Sequence, residues 1–361
     1  MTTATSTPPV ELARSLADDL LRPLAEQVDR TVVPRSHLDA WARAGLLGLS
    51  GPTAYGGGGA PAPVVREVVE VLAGACGATW FVATQHESPL ATLAASGNHA
   101  LQDRLLEDLC TGTVLAGVAI AQLRRPGPPA VTATRVEGGW RFDGHVGWMT
   151  SWGICDVVLL GGVSPAGEVV HVLVPARDGG GLTASASAPL QLAAMQATVT
   201  VTLDLDGLSV ADADVVDVVD VTAWLTADAA KTANARPHTF GLQRECVRRL
   251  AETAARRDDG TAAALAQQLA QEGNRLRAVA YALVDELPAE EGIEQRLAVR
   301  AASLELVVRT ATALVAATGG SAMALSAAPQ RLAREAVFHL VQAQTAAVRE
   351  ATLQLLRDTG S

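Results

Sequence analysis

The hydrophobic periodicity of the chain changes twice, and this limits the possible folds more than any other feature. From Pro9 to about Thr113, apolar residues recur every three to four positions, as on amphipathic helices. Between Val114 and about Val221, short β-branched runs alternate with Gly, Pro and Asp clusters, which is typical of strands. Helical periodicity returns from Thr222 to Arg357. The sequence therefore predicts an α+β chain of three domains: N-terminal helices over 1–113, a middle β sandwich or barrel over 114–221, and a C-terminal bundle of four or five long helices over 222–361.

Composition excludes several classes of function. The 361 residues include 38 Asp and Glu against 28 Lys and Arg, and the net charge of -10 argues against a nucleic-acid partner. No apolar run approaches the ~20 residues that a spanning helix needs, so we expect no membrane segment. The polar start of the chain lacks the order of a secretory signal and predicts a cytoplasmic address. Four Cys lie far apart, which argues against a disulfide framework and against a metal site.

Residues 140–153 contain three of the six Trp and give the strongest functional signal. Bulky residues alternate there with Gly, a pattern that predicts a twisted antiparallel hairpin. Trp148 and Thr150 lie two positions apart on the predicted strand, so they offer a flat apolar wall beside a hydroxyl group. Such a pair suits a planar cofactor ring. The alternative is that Trp148 is an ordinary core residue of the sheet.

Two segments resemble motifs of the acyl-CoA dehydrogenase family. Residues 51–59 resemble its Pro-x-x-Tyr-Gly-Gly-x-Gly signature, and residues 144–151 resemble its Gly-x-Lys-x-Trp-Ile-Thr-Asn segment. In the family, this Trp packs near the flavin and the Thr hydrogen-bonds the reactive edge of the ring. The family order of helical, β and helical domains spans nearly the whole chain. The resemblance implies bound FAD, contacted here by Trp148, Thr150 and Ser151, and an acyl thioester of CoA or a carrier protein as the substrate.

The family's catalytic base does not follow from the resemblance. The usual base is a Glu after an Arg-Asp-Ala-Arg segment, and Ala343 occupies the matching position. Some members carry the base on an early helix of the C-terminal domain, about ten residues before a Leu-Gly pair that corresponds to Phe240-Gly241. An ungapped count places Lys231 there, and an ammonium group is a base only if burial lowers its pKa. Both known positions for the base are therefore vacant, and a base must come from elsewhere if the chain is a dehydrogenase.

Cofactor contacts are also reduced. The family's Thr-Glu-Pro-x-x-Gly-Ser-Asp segment corresponds to residues 121–129, where Gln122 remains as a candidate flavin contact and adjacent Arg124 and Arg125 either bind phosphate or are solvated. The family's Gln-x-x-Gly-Gly and Arg-x-x-Phe-Gly segments contact FAD across a subunit interface. The candidates that the resemblance implies for these two roles are Thr318, Gly319, Gly320 and Arg257.

Other polar residues are candidates for proton transfer. His86 and Glu87 lie in the helical stretch that faces substrate and flavin in the family, although a capped or interface His with a solvent-facing Glu is the alternative. His339 and Gln342 lie one turn apart on the helix that would have carried the base. An interface position is the alternative for His339. His145 alternates to the opposite strand face from Trp148, which places it outside the predicted site.

Three functions remain open from the sequence. The first is an FAD-dependent acyl-CoA dehydrogenase-like oxidoreductase with a displaced base. The second is a flavin-dependent monooxygenase or oxidase of the same fold, which the missing Glu favours. The third is a non-catalytic subunit that pairs with an active homologue in a hetero-oligomer. The family assembles through its C-terminal bundle, so the resemblance also implies a homodimer or homotetramer.

Overall fold

The structure of the protein is a computed structural model that describes residues 7–184 and 189–358. The N-terminal part is helical, and a π-helical turn, Ala17–Leu21, joins its first two helices into one rod. Pro, which fixes a helix-compatible φ, lies at the first or second position of several helices. The helices are α1 Pro9–Leu16, α2 Arg22–Asp29, α3 Arg35–Arg43, α4 Ala62–Ala75, α5 Gly77–Ala94 and α6 His99–Thr111.

The middle part is one hydrogen-bonded sheet of eight strands, with the order β6-β7-β3-β2-β4-β5-β8 and with β1 paired to β4. Most neighbours are antiparallel, while β1 and β2 run parallel to β4. The strands are β1 Ala116–Ala119, β2 Val131–Val136, β3 Gly139–Met149, β4 Val157–Val163, β5 Glu168–Pro175, β6 Leu182–Ala184, β7 Val201–Ala211 and β8 Val215–Asp220. Residues 140–153, predicted as a hairpin, form instead the single strand β3 and the turn after it, because the pairing of β3 with β7 shifts register near its glycines and the strand continues past them. The hairpin that contains β3 is formed with β2, and its turn lies at Glu137 and Gly138.

The described C-terminal part has six helices, one more than the sequence predicts at most. The additional break lies at Asn234 to Arg236, just before Pro237, because the residue before a proline is disfavoured in helical conformation. The helices are α7 Val221–Ala233, α8 Pro237–Arg257, α9 Gly260–Glu286, α10 Ile293–Thr318, α11 Ala328–His339 and α12 Ala346–Asp358. The predicted helical, β, helical fold class is confirmed.

Close packing of α4 on α8 joins the two helical regions. A Cβ atom on Gly74 would lie 2.6 Å from the carbonyl oxygen of Gly241, and one on Gly241 would lie 2.2 Å from the carbonyl oxygen of Glu70. Any side chain at either position would force the helices apart, since real Cβ contacts are never this short. The glycines therefore fix the distance between the N-terminal helices and the bundle, and with it the width of the space between α5, α7 and α8.

One helical stretch among the described residues, Ile293–Met323, is long and apolar enough to cross a membrane by length and composition alone. It packs against α8, α9, α11 and α12. Arg296 and Arg300 lie on it at buried positions. These are the properties of a core helix in a bundle.

Candidate functional site

Helix α5 presents one polar face toward the C-terminal bundle. Trp80, Thr84 and Glu87 are spaced by four and three residues, so they share a side of the helix. The Glu87 carboxylate is accessible to solvent, yet protein atoms crowd it closely enough that burial raises its pKa, against the opposing charges of Lys231 and Arg236. A group that is both accessible and enclosed lines a cleft. Thr84 Oγ1 lies 3.5 Å from the carboxylate as a long hydrogen-bond donor.

His86, one residue earlier, points away from this cleft. Its side chain is buried, Nε2 lies 2.8 Å from the carbonyl oxygen of Leu109, and Nδ1 accepts a hydrogen bond from the Ala116 amide at 3.0 Å. Burial lowers its pKa to about 4, so the ring is neutral and its tautomer is set by these two partners. Both nitrogens are occupied in tying α5 to α6 and β1. The acid-base role predicted for His86 therefore does not fit this geometry, and Glu87 alone of the two faces the cleft.

Helix α7 and the start of α8 form the opposite wall. The side chains of Lys231 and Arg236 are also partly open to solvent but crowded by protein atoms, and burial lowers the pKa of both. The charge of Arg236 adds to the effect on Lys231, and the charge of Arg124 adds to the effect on Arg236. Nearby, Arg124 makes two 2.7 Å hydrogen bonds to the Asp228 carboxylate. This bidentate pair joins the 3-10 turn Ala121–Arg124 to α7 and neutralises both charges. The phosphate role considered for Arg124 is thus replaced by a contact within the chain.

The loop after α11 carries the position where the family has its usual base. Ala343 adopts a φ of 48°, and its carbonyl oxygen lies 3.3 Å from Arg300, which also donates to Gln342 O at 3.0 Å and to the carbonyl of Thr232. Burial lowers the pKa of Arg300 to about 9, and the nearby charges of Arg236 and Arg124 lower it further. Arg300 therefore holds the ends of α7 and α11 together. No carboxylate replaces the missing one at residue 343, so the base must come from another element.

A stack of three rings lies beneath this loop. The ring centroids of Trp80 and His238 are 4.2 Å apart, and those of His238 and His339 are 4.8 Å apart in an edge-on arrangement. Burial lowers the pKa of His238 well below its usual value and that of His339 to about 3, with Arg300 adding to the second effect. Both imidazoles are therefore neutral, and each offers one acceptor nitrogen.

Unpaired polar atoms concentrate in this region. In the part of the chain that the structure describes, ten buried side-chain nitrogen or oxygen atoms have no hydrogen-bond partner, and five of them belong to residues of the ring stack and the adjoining wall. Folded proteins pair nearly all such atoms, so a local concentration indicates a place where a ligand or water completes the structure. The five atoms are Trp80 Nε1, Arg236 Nε, Arg300 Nε, His339 Nδ1 and Gln342 Oε1.

The hairpin places Trp148 at the surface of the sheet. Its side chain is 48% exposed, so the alternative of a core residue is wrong. Arg125 lies beside the preceding residue of the strand, because a Cβ on Gly147 would be 3.3 Å from the Arg125 guanidinium. Arg124 and Arg125 are consecutive, and they reach α7 and β3 respectively. The short 3-10 turn that ends at Arg124 therefore links the cleft wall to the exposed indole.

Other predicted flavin contacts are placed differently. Thr150 is buried, with its hydroxyl 3.1 Å from that of Thr200. Ser151 is also buried, has a φ of 69°, and its hydroxyl donates to the carbonyl of Thr150. Gln122 Nε2 donates to Ala119 O at 2.9 Å and to Gly161 O at 2.8 Å, which makes it a strut inside the sheet. The predicted cofactor contact of the Ser151 hydroxyl does not fit this position, whereas the buried Oε1 of Gln122 has no partner and the contact predicted for Gln122 stays a prediction.

The remaining predicted cofactor residues form a separate group at the end of α10. Arg257 donates to Ala317 O at 2.9 Å and to Thr318 O at 2.6 Å. Its guanidinium lies 3.9 Å from a Cβ built on Gly319, while the adjoining Gly320 is exposed with open space around it. The structure therefore brings Arg257, Thr318, Gly319 and Gly320 together, as candidates for one binding region, but at a place distinct from β3.

Sequence reasoning missed Arg236, His238 and Arg300. One signal was available for Arg300, since Arg296 and Arg300 are four residues apart on an otherwise apolar helix and buried arginines are rare. A groove of about 420 Å³ between α8 and α9 is lined largely by alanines together with Asp258, Asp259 and Gln267, and it contains none of the unpaired buried polar atoms. Within the described residues, no group of three or more His, Cys, Asp or Glu is arranged to hold a metal ion.

Comparison with known proteins extends these observations. Residues 9–113 match the family described as the N-terminal domain of acyl-CoA dehydrogenase. No curated protein matches the sequence significantly. The whole chain superposes on butyryl-CoA dehydrogenase from Megasphaera elsdenii at a TM-score of 0.78, with 15% identity over 96% of this chain and 97% of that one.

Two further structures are similar over comparable lengths. Dibenzothiophene monooxygenase from a Paenibacillus species has a TM-score of 0.79 and 19% identity, covering 97% of both chains. A glutaryl-CoA dehydrogenase from Mycobacterium smegmatis in complex with FADH2 has a TM-score of 0.79 and 17% identity, covering 98% of this chain and 94% of that one. At these identities the likeness shows the fold.

Proposed function

The chain has the fold of the acyl-CoA dehydrogenases, and residues 9–113 belong to the N-terminal domain family of these enzymes, so we propose that it is an FAD-dependent oxidoreductase that acts on an acyl thioester. The observation that supports the proposal is the environment of Glu87. Its carboxylate is accessible to solvent and crowding by protein atoms raises its pKa, while Ala343 occupies the position of the family's usual base.

In this reaction, the Glu87 carboxylate takes a proton from the carbon next to the thioester carbonyl. A base of this kind needs a raised pKa, which crowding by the protein supplies, and it must be ionised to act. The neighbouring carbon loses a hydride, and accepting that hydride is the chemistry that FAD supplies when it is bound. The cationic wall of Lys231 and Arg236 stabilises negative charge that develops on the substrate.

The residues present fit a flavin at two places. The exposed Trp148 offers a flat apolar surface, and the Arg125 guanidinium next to it suits a phosphate group. In the bundle, Arg257 and the backbone of Thr318, Gly319 and Gly320 would hold the far end of FAD bound to a second subunit. The Thr150 hydroxyl is the remaining polar group of the hairpin that could meet the ring.

We propose a homodimer or homotetramer as the working assembly. Six large apolar side chains near the C-terminal end are about half exposed or more, which is unusual for a surface that stays in water. A hetero-oligomer with a homologous subunit would cover the same surface. We also propose that the protein is located in the cytoplasm. The apolar side chains are those of Met323, Leu325, Val337, Val341, Leu353 and Leu356.

A second candidate function is a flavin-dependent monooxygenase. The observation that favours it is the neutral His339, whose Nδ1 lacks a partner near the orphaned Oε1 of Gln342. His339 and Gln342 can accept and donate protons or hydrogen bonds at the site without a carboxylate. Under this alternative, Glu87 would be dispensable for turnover and His339 would not.

The test is to purify the protein, record its visible spectrum, and reduce it without oxygen using acyl-CoA thioesters. Bleaching of a yellow protein supports the dehydrogenase. A yellow protein that ignores thioesters but consumes oxygen when given reduced flavin supports the monooxygenase. A colourless protein that becomes active only with a homologous partner supports the non-catalytic subunit and overturns both.

Binding of FAD to the hairpin is tested separately with Trp148→Ala. Removal of the half-exposed indole should weaken FAD binding about tenfold or more, as expected for the loss of a buried aromatic contact. FAD affinity is measured by titration of the apoprotein with fluorescence detection. Trp224→Ala, which removes a half-buried indole from α7, is the control. Equal FAD affinity in wild type and Trp148→Ala would show that the ring binds elsewhere.

A further inference from the structure

The strand β3 contains one extra residue beside the exposed indole of Trp148. Between Val146 and Met149, β3 has two residues where the facing strand β7 has one, so β3 forms a β-bulge there. The side chains of Val146 and Met149 are both buried in the core. The two residues of the bulge, Gly147 and Trp148, therefore share the outward face of the sheet instead of alternating between its two faces.

The guanidinium of Arg125 lies over the glycine of this bulge. A Cβ atom built on Gly147 would be 3.3 Å from one terminal nitrogen of Arg125, 3.8 Å from the other and 3.9 Å from the central carbon. Arg125 and the Trp148 indole are thus neighbours on the same face of the sheet. Within the described residues, the Arg125 side chain has neither a hydrogen bond nor an ion pair, whereas Asp228 neutralises the adjacent Arg124. The bulge therefore places this cation next to a flat apolar ring.

The guanidinium above Gly147, and not the backbone, requires a glycine at this position. The φ of Gly147 lies outside the left-handed region, so residues with a side chain can adopt the same conformation. A Cβ atom would already touch the guanidinium, and the methyl groups of Val would reach about 1.5 Å farther into it. The strand itself would accept Val, because β-branched residues favour strands. Glycine at position 147 thus serves Arg125, and the fold does not depend on it.

We propose that Gly147 is a positioning residue, which keeps Arg125 beside the indole so that one ligand contacts both groups. A ligand that suits this pair has a flat ring for Trp148 and an anionic group for the guanidinium, which binds phosphate oxygens with two donors. This inference rests on the proposed function, because it takes the flavin as that ring. The anionic group is then the phosphate nearer the ring, since the Cα atoms of neighbouring residues are only about 3.8 Å apart.

The experiment compares FMN with riboflavin, which have the same ring and differ in one phosphate group. Their affinities for the apoprotein are measured by fluorescence titration, and wild type should bind FMN more tightly. In Gly147→Val and in Arg125→Gln, the affinity ratio of FMN to riboflavin should fall about ten- to hundredfold, the range for one charge-assisted contact. Trp148→Ala should weaken both flavins alike, because it removes a contact to the ring that they share.

Three controls separate a positioning role from a structural one. Gly97→Val adds the same side chain at a glycine whose Cβ would meet no atom within 4 Å, and it should retain the affinity ratio. In the Arg125→Gln background, Gly147→Val should cause no further loss, since both changes remove the same contact. The melting temperature of Gly147→Val should not fall below that of wild type, because Val suits a strand.

An unchanged ratio of FMN to riboflavin affinity in Gly147→Val would overturn the inference, while FAD binding by wild type would leave the proposed function intact. An equal loss of FMN and riboflavin affinity in Gly147→Val would show that position 147 contacts the ring, and this result would also overturn the inference. A wild-type protein that binds no flavin would overturn the proposed function and the inference together.

Discussion

Two crowded clusters of charge lie between the N-terminal helices and the bundle, and they differ in how their charges are paired. In the first, fully buried Arg331 donates to Glu335 at 2.7 Å and contacts Glu26, while Arg334 pairs with Asp29. In the second, the cleft cluster of Lys231, Arg236, Arg300 and Glu87, no carboxylate of the described residues pairs with a cation. Both clusters draw charged residues from several elements of the fold.

The difference separates a structural role from a binding role. Burial alone would lower the pKa of Arg331, but the carboxylate of Glu335 outweighs it and raises the pKa, so this cation has a counter-ion even though Glu335 Oε2 lacks a hydrogen-bond partner. In the cleft cluster, burial lowers the pKa values of all three cations, and repulsion from neighbouring arginines adds to it: from Arg236 on Lys231 and Arg300, and from Arg124 on Arg236. Loss of a paired charge should therefore destabilise the fold, whereas loss of an unpaired one should impair ligand handling.

The largest effect is expected for Glu87→Gln. Removing the base should slow anaerobic flavin reduction by an acyl thioester about 100- to 10,000-fold, since general-base catalysis contributes that much. FAD content should be unchanged. Gln85→Glu on the adjoining face of α5 adds a carboxylate outside the cleft and should not restore the rate in the double variant. Full activity in Glu87→Gln would show that another group takes the proton. His339 would then be the next residue to substitute.

The pH dependence of the same reaction sharpens this test. The pKa of Glu87 lies above its ordinary 4.5, so the ionised form needed for proton removal is lost on acidification at a higher pH than for a free Glu. The reduction rate should therefore fall as the pH drops through this raised value. The effect of pH on stability has the opposite sign. Because the pKa of Glu87 is higher in the folded protein than in the unfolded chain, the free energy of unfolding falls as the pH rises through the same range.

The second effect is on stability. Arg331→Met leaves Glu335 buried without its partner and should lower the free energy of unfolding by about 3–5 kcal/mol. Chemical denaturation measures the loss. Arg14→Met breaks the exposed pair with Glu67 and should cost about 0–1 kcal/mol. The double variant Arg331→Met/Glu335→Leu should recover part of the loss, and a failure of the single variant to destabilise would remove the structural role assigned to this cluster.

The smallest effect should have the opposite sign. Arg236→Met removes an enclosed cation that lacks a partner, and we expect the free energy of unfolding to rise by about 0.5–2 kcal/mol. The measurement is the same denaturation series at low salt without ligand. A loss of stability as large as that of Arg331→Met would mean that Arg236 is paired in solution, and the contrast between the clusters would disappear.

The sequence predicted the fold class because it depends on local periodicity. Trp148 was recognised for the same reason, since its alternation with smaller residues marks a strand, although the bulge beside it turns the indole outward. The hairpin predicted over residues 140–153 was wrong, since the glycines there lie within one strand where its pairing shifts register and do not mark a turn. His86 and Glu87 show the limit of such reasoning. They are neighbours on one helix and both suit acid-base chemistry, but a turn of about 100° separates them and only tertiary packing decides which one meets the cleft.

The cationic residues were beyond sequence reasoning for a different reason. Lys231 was found through the resemblance, but Arg236 and Arg300 are distinguished by missing partners, and pairing is a property of the assembled elements. Arg124 was expected to bind phosphate or water, and its bond to Asp228 joins residues 104 positions apart. Ser151 was misplaced because a backbone carbonyl group, which the pattern does not reveal, accepts from its hydroxyl. Carbonyl groups likewise accept from Gln122 Nε2, but its Oε1 is left without a partner.

The row of hydroxyl groups under the hairpin has a preferred polarity. Thr198 donates to the carbonyl of Met195 at 2.8 Å, so its oxygen can only accept from Thr200, which must in turn accept from Thr150. A group that reaches Thr150 from outside therefore meets a lone pair by default. If the row reverses so that Thr150 presents a proton, the Thr198 hydroxyl gives up its bond to the Met195 oxygen, which still accepts from the Thr198 amide, and this reversal moves hydrogens without displacing any heavier atom.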